Sequence, residues 1–262
     1  MQNKEKKEIR QAVRSRYGDI AKSEGVSCGC NCCTGDNPSA QDLSVGLGYS
    51  CEEVSSVPEG ANMGVGCGNP QAFASLQPGE TVVDLGSGGG FDCFLAARSV
   101  GEEGFVIGVD ITPEMIEKAR ENVDKFGLSN VEFRLGEIEH LPIADNSADV
   151  IISNCVINLS TEKDKVYLDA YRVLKSRGRL AITDVVAAAK LPEEAKKDMH
   201  LLTSCLSGAS QIDDLKDILE TAGFINIRIK PLDNSKQIIS KWTAESNIKD
   251  FVFSATVEAV KP

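Results

Sequence analysis

The run "ETVVDLGSGGG", residues 80 to 90, constrains the fold more than any other stretch of the chain. A short apolar, β-branched segment ends in glycines, the pattern of a buried strand entering a tight turn. "GFDCFLAARSV" follows as a helix, and the alternation continues. "GFVIGVDI" reads as a strand, "TPEMIEKARENVDKFG" as a helix, "NVEFRLGEI" and "SADVIISNC" as strands, "STEKDKVYLDAYRVLKSRG" as a helix and "GRLAITDVV" as a strand. Thr112, Pro113 and Gly127 punctuate the second of these helices as N-cap, first helical residue and C-terminal stop. Strands alternating with helices predict an α/β fold, a doubly wound and mostly parallel Rossmann-like sheet with right-handed crossovers.

The flanks differ. Residues 4–24 read as a polar helix with Ile9, Val13 and Tyr17 at four-residue spacing. Residues 25–70 are rich in Gly, Ser, Asn and Cys and read as loop, and a loop of that length is usually functional. Beyond residue 190, two helical segments and the alternating runs "INIRIKPL" and "DFVFSATVEAV" form an α+β extension expected to complete the sheet. The organisation expected is therefore a cysteine-rich arm (1–70), a sheet domain (71–190) and a C-terminal region (191–262).

With 28 basic and 39 acidic residues the net charge is −11, so the average field repels polyanions and no nucleic-acid partner is expected. No apolar run reaches the ~18 residues of a membrane span, and the charged N-terminus lacks the apolar core of a secretory signal. A cytoplasmic location is expected, where the nine cysteines stay reduced, and their odd number argues against a disulfide framework.

Within "VVDLGSGGG", Asp84 precedes Gly86, Gly88 and Gly90. The dinucleotide fingerprint G-x-G-x-x-G fails, because its last position falls on Phe91. The G-x-G-x-G spacing, with an acid two residues ahead, resembles motif I of the class I S-adenosylmethionine-dependent methyltransferases. That resemblance implies S-adenosylmethionine as cofactor. Asp110, ending the second strand, would accept the ribose hydroxyls, and Glu137 and Ile138 would flank the adenine. Ile111, Met115 and Asn154 complete the implied cofactor set. The competing reading is that the glycines only make a turn and Asp110 only caps the next helix.

The cysteines narrow the chemistry. After the fourth strand the chain carries "SNCVINL", with Cys155 where a methyl donor should point and no Pro-Pro-aromatic following Asn154. The two histidines, His140 and His200, read as surface or packing residues, so a histidine base is poorly supplied. "GVGCGNP", "SNCVINL", "AYRVLK" and "TSCLSGA" together resemble the arsenite S-adenosylmethionine methyltransferases. The resemblance implies that Cys67, Cys155 and Cys205 bind trivalent arsenic, supplied as arsenite or a trivalent organoarsenical. It also implies a redox role for an N-terminal cysteine followed by Thr, for which Cys32 and Cys33 in "CCTG" are the candidates, with thioredoxin or a glutathione-type thiol as reductant. "YG" in the first helix, Tyr17 and Gly18, matches the family and would close over the cofactor. A zinc or iron–sulfur centre in Cys28, Cys30, Cys32 and Cys33 fits the spacing of structural zinc ligands poorly. Cys93 reads as core packing, and Cys51 as either a spare thiol or part of the redox cycle. The rivals are methylation of a small organic molecule, and a soft-metal or arsenical-binding module without turnover.

Overall fold

The computed structural model describes residues 3–22, 39–192, 194–195, 198–242, 248 and 251–262. Eight strands form one sheet: β1 (Thr81–Leu85), β2 (Phe105–Asp110), β3 (Val131–Leu135), β4 (Ala148–Asn154), β5 (Leu174–Ala187), β6 (Ser210–Gln211), β7 (Ile225–Pro231) and β8 (Val252–Val260). Their order is β3-β2-β1-β4-β5-β8-β7, with β6 beside β5. All pairs are parallel except β5–β8 and β8–β7. The tail strands complete the sheet as their alternation predicts.

Period-two alternation explains the two-faced core. Val82, Val106, Val150 and Ala181 pack on one face, against α5 (Phe91–Val100) and α6 (Pro113–Phe126). Val83, Ile107, Ile151 and Ile182 pack on the other, against α7 (Lys163–Val173) and α9 (Ile212–Ala222). Thr112, Pro113 and Gly127 occupy the cap positions expected of α6.

The arm departs from its loop reading. Two short helices, α2 (Ala40–Gly46) and α3 (Cys51–Ser55), each open with a capping box, Ser39 with Asp42 and Ser50 with Glu53. These reciprocal side-chain bonds satisfy backbone donors that an isolated turn would leave open. A third turn, α4 (Gln71–Ala74), leads into β1.

The order reverses between β1 and β4: β2 lies on one side of β1 and β4 on the other. At such a switch point the carboxyl ends of the strands open a crevice. Helix α1 (Asn3–Lys22) lies across it. Ile9 and Val13 are buried against Leu159 and Cys205, worth about 1.5–3 kcal/mol per fully buried side chain. Ion pairs edge the helix: Lys6 and Arg10 to Glu162, Arg10 to Glu139, Arg10 and Arg14 to Glu137, and Lys22 to Glu114. Among the described residues no helix is long and apolar enough to cross a membrane.

Candidate active site

The glycine turn follows β1 directly. Gly86 and Gly88 have φ of 71° and 52°, the left-handed region that a side chain disfavours. The Val109 carbonyl accepts the N–H of Gly86 at 2.8 Å and of Ser87 at 3.1 Å, and Asp110 Oδ2 accepts the Gly88 N–H at 3.0 Å. A Cβ on Gly86 would stand 2.4 Å from Val156 Cγ2, whereas one on Gly88 would meet only Met115 Sδ, at 4.0 Å. Gly88 therefore presents bare backbone to open space. Asp110 Oδ1 also accepts the Thr112 N–H at 2.8 Å, so the acid braces the turn and the entrance to α6 while lining the cavity. Burial raises its pKa. An open glycine cradle, a carboxylate at the next strand end and an apolar wall fit an adenosyl group bearing an amino-acid end.

The cavity collects most of the sequence-predicted residues. Ile111, Met115 and Ile138 form its apolar wall, and Asn154, Cys155 and Cys205 its far end. Tyr17 reaches in from α1, where burial, followed by the neighbouring Cys205 and Cys155, raises its pKa well above the ordinary phenol value.

Four residues of the predicted cofactor set are held elsewhere. Asp84 is buried behind the turn and accepts a 3.3 Å bond from Cys93 Sγ. Gly90 starts α5, and a Cβ there would strike the rings of Phe133 and Phe94. Gly18 packs against the Glu114 carboxylate. Glu137 is drawn outward to Arg10 and Arg14, each at 3.4 Å. Glu139, two residues on, is the acid that lines the cavity; it accepts Ser160 Oγ at 2.6 Å.

Three elements bring the cysteines together. Cys155 follows β4, with φ 60° and its N–H on the Thr183 carbonyl at 2.8 Å. Cys205 follows α8 (Met199–Thr203), with φ 64° and its thiol donating to the Cys155 carbonyl at 2.8 Å. Both are left-handed and neither is glycine; such strain persists where its surroundings enforce it and is common at functional sites. Cys67 is fully buried in "GCG". Its N–H bonds to Asn154 Oδ1 at 2.9 Å, and Asn154 Nδ2 donates to the Gly68 carbonyl at 2.8 Å. Cys67 Sγ and Cys155 Sγ lie within 4.8 Å of each other, and the Cys205 thiol adjoins them through the Cys155 carbonyl. Burial pushes the Cys67 thiol up to about 11, and the bond to Cys155, together with burial, raises that of Cys205. All three are free thiols.

Beside them stands a carboxylate that the sequence reading missed. Cys67 Sγ, Cys155 Sγ and an Asp184 oxygen lie within 4.8 Å of one another. Asp184 accepts Asn158 Nδ2 at 2.8 Å and the Val185 N–H at 2.7 Å, and burial holds its carboxyl up at about 6. Lys163, at the start of α7, is half-buried nearby and bonds the Gly208 carbonyl and Ser210 Oγ; desolvation lowers it to about 8. Arg16 borders the cavity and ties α1 to Thr203 and Ser204 at 2.9 Å each. His200, read as surface or packing, is exposed and edges the cavity mouth, while His140 is exposed and lies outside it. Cys93 is buried in the core as expected, and Cys51 is exposed. Cys28, Cys30, Cys32 and Cys33 lie outside the described residues.

The sequence matches the family described as "Methyltransferase domain" over residues 76–223. A curated arsenite methyltransferase of Halobacterium salinarum is 52% identical, aligning 99% of this chain with 68% of its own length. The human arsenite methyltransferase is 35% identical over 85% of this chain and 60% of its length. Among solved structures, that of an arsenic(III) S-adenosylmethionine methyltransferase from Chlamydomonas reinhardtii superposes with a TM-score of 0.63 at 32% identity, covering 87% of this chain and 75% of that one.

Proposed function

The chain belongs to the arsenite methyltransferase family, and from that premise we propose that it methylates trivalent arsenic, arsenite and methylarsenite, held by Cys67, Cys155 and Cys205. The observation carrying this reading is the gathering of Cys67, Cys155 and Cys205 from three separate chain segments beside a glycine-cradled cavity that Cys155 and Cys205 line.

Trivalent arsenic is soft, and sulfur suits it. Each thiol displaces one hydroxide: S–H and As–OH become S–As and water. Arsenite thus takes three sulfurs and methylarsenite two beside its methyl group; either is a pyramidal centre with one lone pair, which is itself the nucleophile, so no base is required. The chain's work is placement. Cys155 and Cys205 face the cavity, and Cys67 closes the set from behind. Gly86, Gly88, Asp110, Ile111, Met115 and Ile138 would hold the cofactor, with Tyr17 above, which orients the reactants. When bound, S-adenosylmethionine supplies the electrophilic methyl group.

Methylation takes arsenic formally to the pentavalent state. Two thiols return it to trivalent by giving two electrons and two protons and closing a disulfide, which an external thiol reopens. We assign this to Cys32 and Cys33, in an arm of residues 1–70 serving a cofactor-binding body of 71–190 and a substrate-side region of 191–262. Thioredoxin or a glutathione-type thiol is the reductant and the cytoplasm the location this scheme requires.

The test is mass spectrometry of arsenic species after incubating the protein with S-adenosylmethionine, arsenite and a thiol reductant. Methylated arsenic is expected from the wild type and at least a hundredfold less from Cys155→Ser. Cofactor binding without methylated arsenic would sink the proposal and favour a small organic substrate. Unimpaired multi-turnover methylation by Cys32→Ser/Cys33→Ser with thioredoxin would remove the relay alone.

A further inference from the structure

Methylation of arsenic as proposed has no use for Asp184. A lone pair needs no base, and three sulfurs satisfy trivalent arsenic. Yet this carboxylate is buried within 4.8 Å of two of the three thiols, without lining the cavity. A carboxylate so placed raises the energy of neighbouring thiolates and costs desolvation of its own. It accepts the Asn158 N–H at 3.2 Å, Asn158 Nδ2 and the Val185 N–H. The half-buried Lys163 is near enough for the charges of Asp184 and Cys205 to act on it.

The geometry points to a second use of the same cluster: we infer that it binds a thiophilic divalent cation, of the zinc or cadmium class, through Cys67, Cys155 and the Asp184 carboxylate, which already stand together, with Cys205 turning in from the Cys155 carbonyl as the fourth donor. Such cations take four tetrahedral ligands, with thiolate and carboxylate both acceptable, whereas trivalent arsenic takes three and keeps its lone pair. The fourth donor therefore separates the two occupants. Cys155 and Cys205 face the cavity, while Cys67 and Asp184 stand behind them. Three thiols give up three protons as the cation enters, so affinity climbs with pH. The positive charge of the cation offsets half of the charge of three thiolates and a carboxylate, and Lys163 offsets part of the remainder. A bound cation occupies the sulfurs that arsenic needs, making the two mutually exclusive.

The inference shares the thiol geometry with the arsenite reading, but its test stands apart. Reduced full-length protein with Cys28, Cys30, Cys32 and Cys33 changed to serine, so that the N-terminal cluster contributes no sulfur, is titrated with cadmium chloride. One cadmium per chain is expected, displaced by arsenite, with X-ray absorption at the cadmium edge showing an oxygen beside the sulfurs. Asp184→Asn should weaken cadmium at least tenfold and change arsenite affinity less than threefold. A sulfur-only shell, no cadmium bound, or cadmium that arsenite does not displace would overturn the inference. The edge spectrum does not use Asp184→Asn, so poor folding of that variant leaves the test intact. Cadmium held by sulfur and oxygen in a protein that methylates no arsenic would keep the inference and discard the arsenite reading.

Discussion

Asn154 Oδ1 accepts the backbone N–H of Cys67 at 2.9 Å, and its Nδ2 donates to the next residue's carbonyl, Gly68 O, at 2.8 Å. One side chain thus pairs with the "GCG" segment as a neighbouring strand would. The same amide takes Thr183 Oγ1 at 3.0 Å and reaches Tyr49 Oη at 3.1 Å. A Cβ on Gly66 would lie 2.9 Å from Asn154 Nδ2, and one on Gly68 2.9 Å from Thr183 Cγ2, which is why glycines flank the cysteine. Asn154 places one thiol while its chain neighbour, Cys155, is the next.

Asn154→Ala removes this clasp. Leaving several polar groups partly unpaired should lower stability by about 2–3 kcal/mol. Cys67 then loses its fixed position, so KM for arsenite should rise at least tenfold. KM for S-adenosylmethionine should change less than threefold, since the glycine turn is untouched. Steady-state kinetics with each substrate varied in turn checks this. Equal rises in both KM values would instead make Asn154 mainly a cofactor contact.

Gly86→Ala meets two obstacles, a φ of 71° and a Val156 methyl 2.4 Å from the new Cβ. Backbone strain and overpacking each cost about 1–3 kcal/mol. The melting temperature should fall by several degrees and S-adenosylhomocysteine should bind at least tenfold more weakly by calorimetry. Gly86→Ala/Val156→Ala should recover part of the stability, since it relieves the collision and leaves the strain. A double mutant no better than the single one would place the whole effect in the backbone.

The helix across the cavity is held by charge at its rim. Arg10 meets Glu162 at 3.2 Å, Glu137 at 3.4 Å and the buried Glu139 at 3.6 Å. Exposed pairs contribute little singly, about 0–1 kcal/mol, and salt screens them. Arg10→Ala also strips Glu139 of its only cation among the described residues, leaving it Ser160 Oγ. Amide exchange over Ile9 to Ala21 should quicken at least fivefold in this variant, and more modestly in wild type at high salt. No quickening in either would show that the apolar contacts of Ile9 and Val13 suffice.

The sheet was legible because each strand announces itself locally. "TVVDL", "FVIGVD" and "DVIIS" carry their burial in their own composition, and Thr112, Pro113 and Gly127 mark a helix at both ends. The arm was read as loop because its glycines and serines dominate. Its capping boxes, Ser39-x-x-Asp42 and Ser50-x-x-Glu53, were a local signal that went unused. Other features have no local signature. Glu137 and Glu139 sit at one strand end, and which of them faces inward depends on Arg10 and Arg14, more than a hundred residues away. Asp184 reads as a strand residue until Cys67 and Cys155 are folded against it. Convergence of distant segments is what a sequence pattern does not encode.

Buried acids behind the glycine turn make stability depend on pH. Burial raises the pKa of Asp92, and burial with the Asp92 charge raises that of Asp84; Tyr49 Oη donates to Asp92 Oδ1 at 2.8 Å. Each carboxyl binds its proton more tightly folded than unfolded. Through the window between the unfolded value, about 4, and the raised folded value, the native state holds more protons. Stability from this pair is therefore greatest at the acid end of that window and falls as pH rises through it. Asp92→Asn removes one of the two charges while keeping an acceptor for Tyr49. Its melting temperature, relative to wild type, should be higher at pH 8 than at pH 5, measured by calorimetry at fixed ionic strength. A difference of the opposite sign would mean that Asp92 is charged and stabilising in the folded protein, with its pKa lowered by Tyr49 and Asn154.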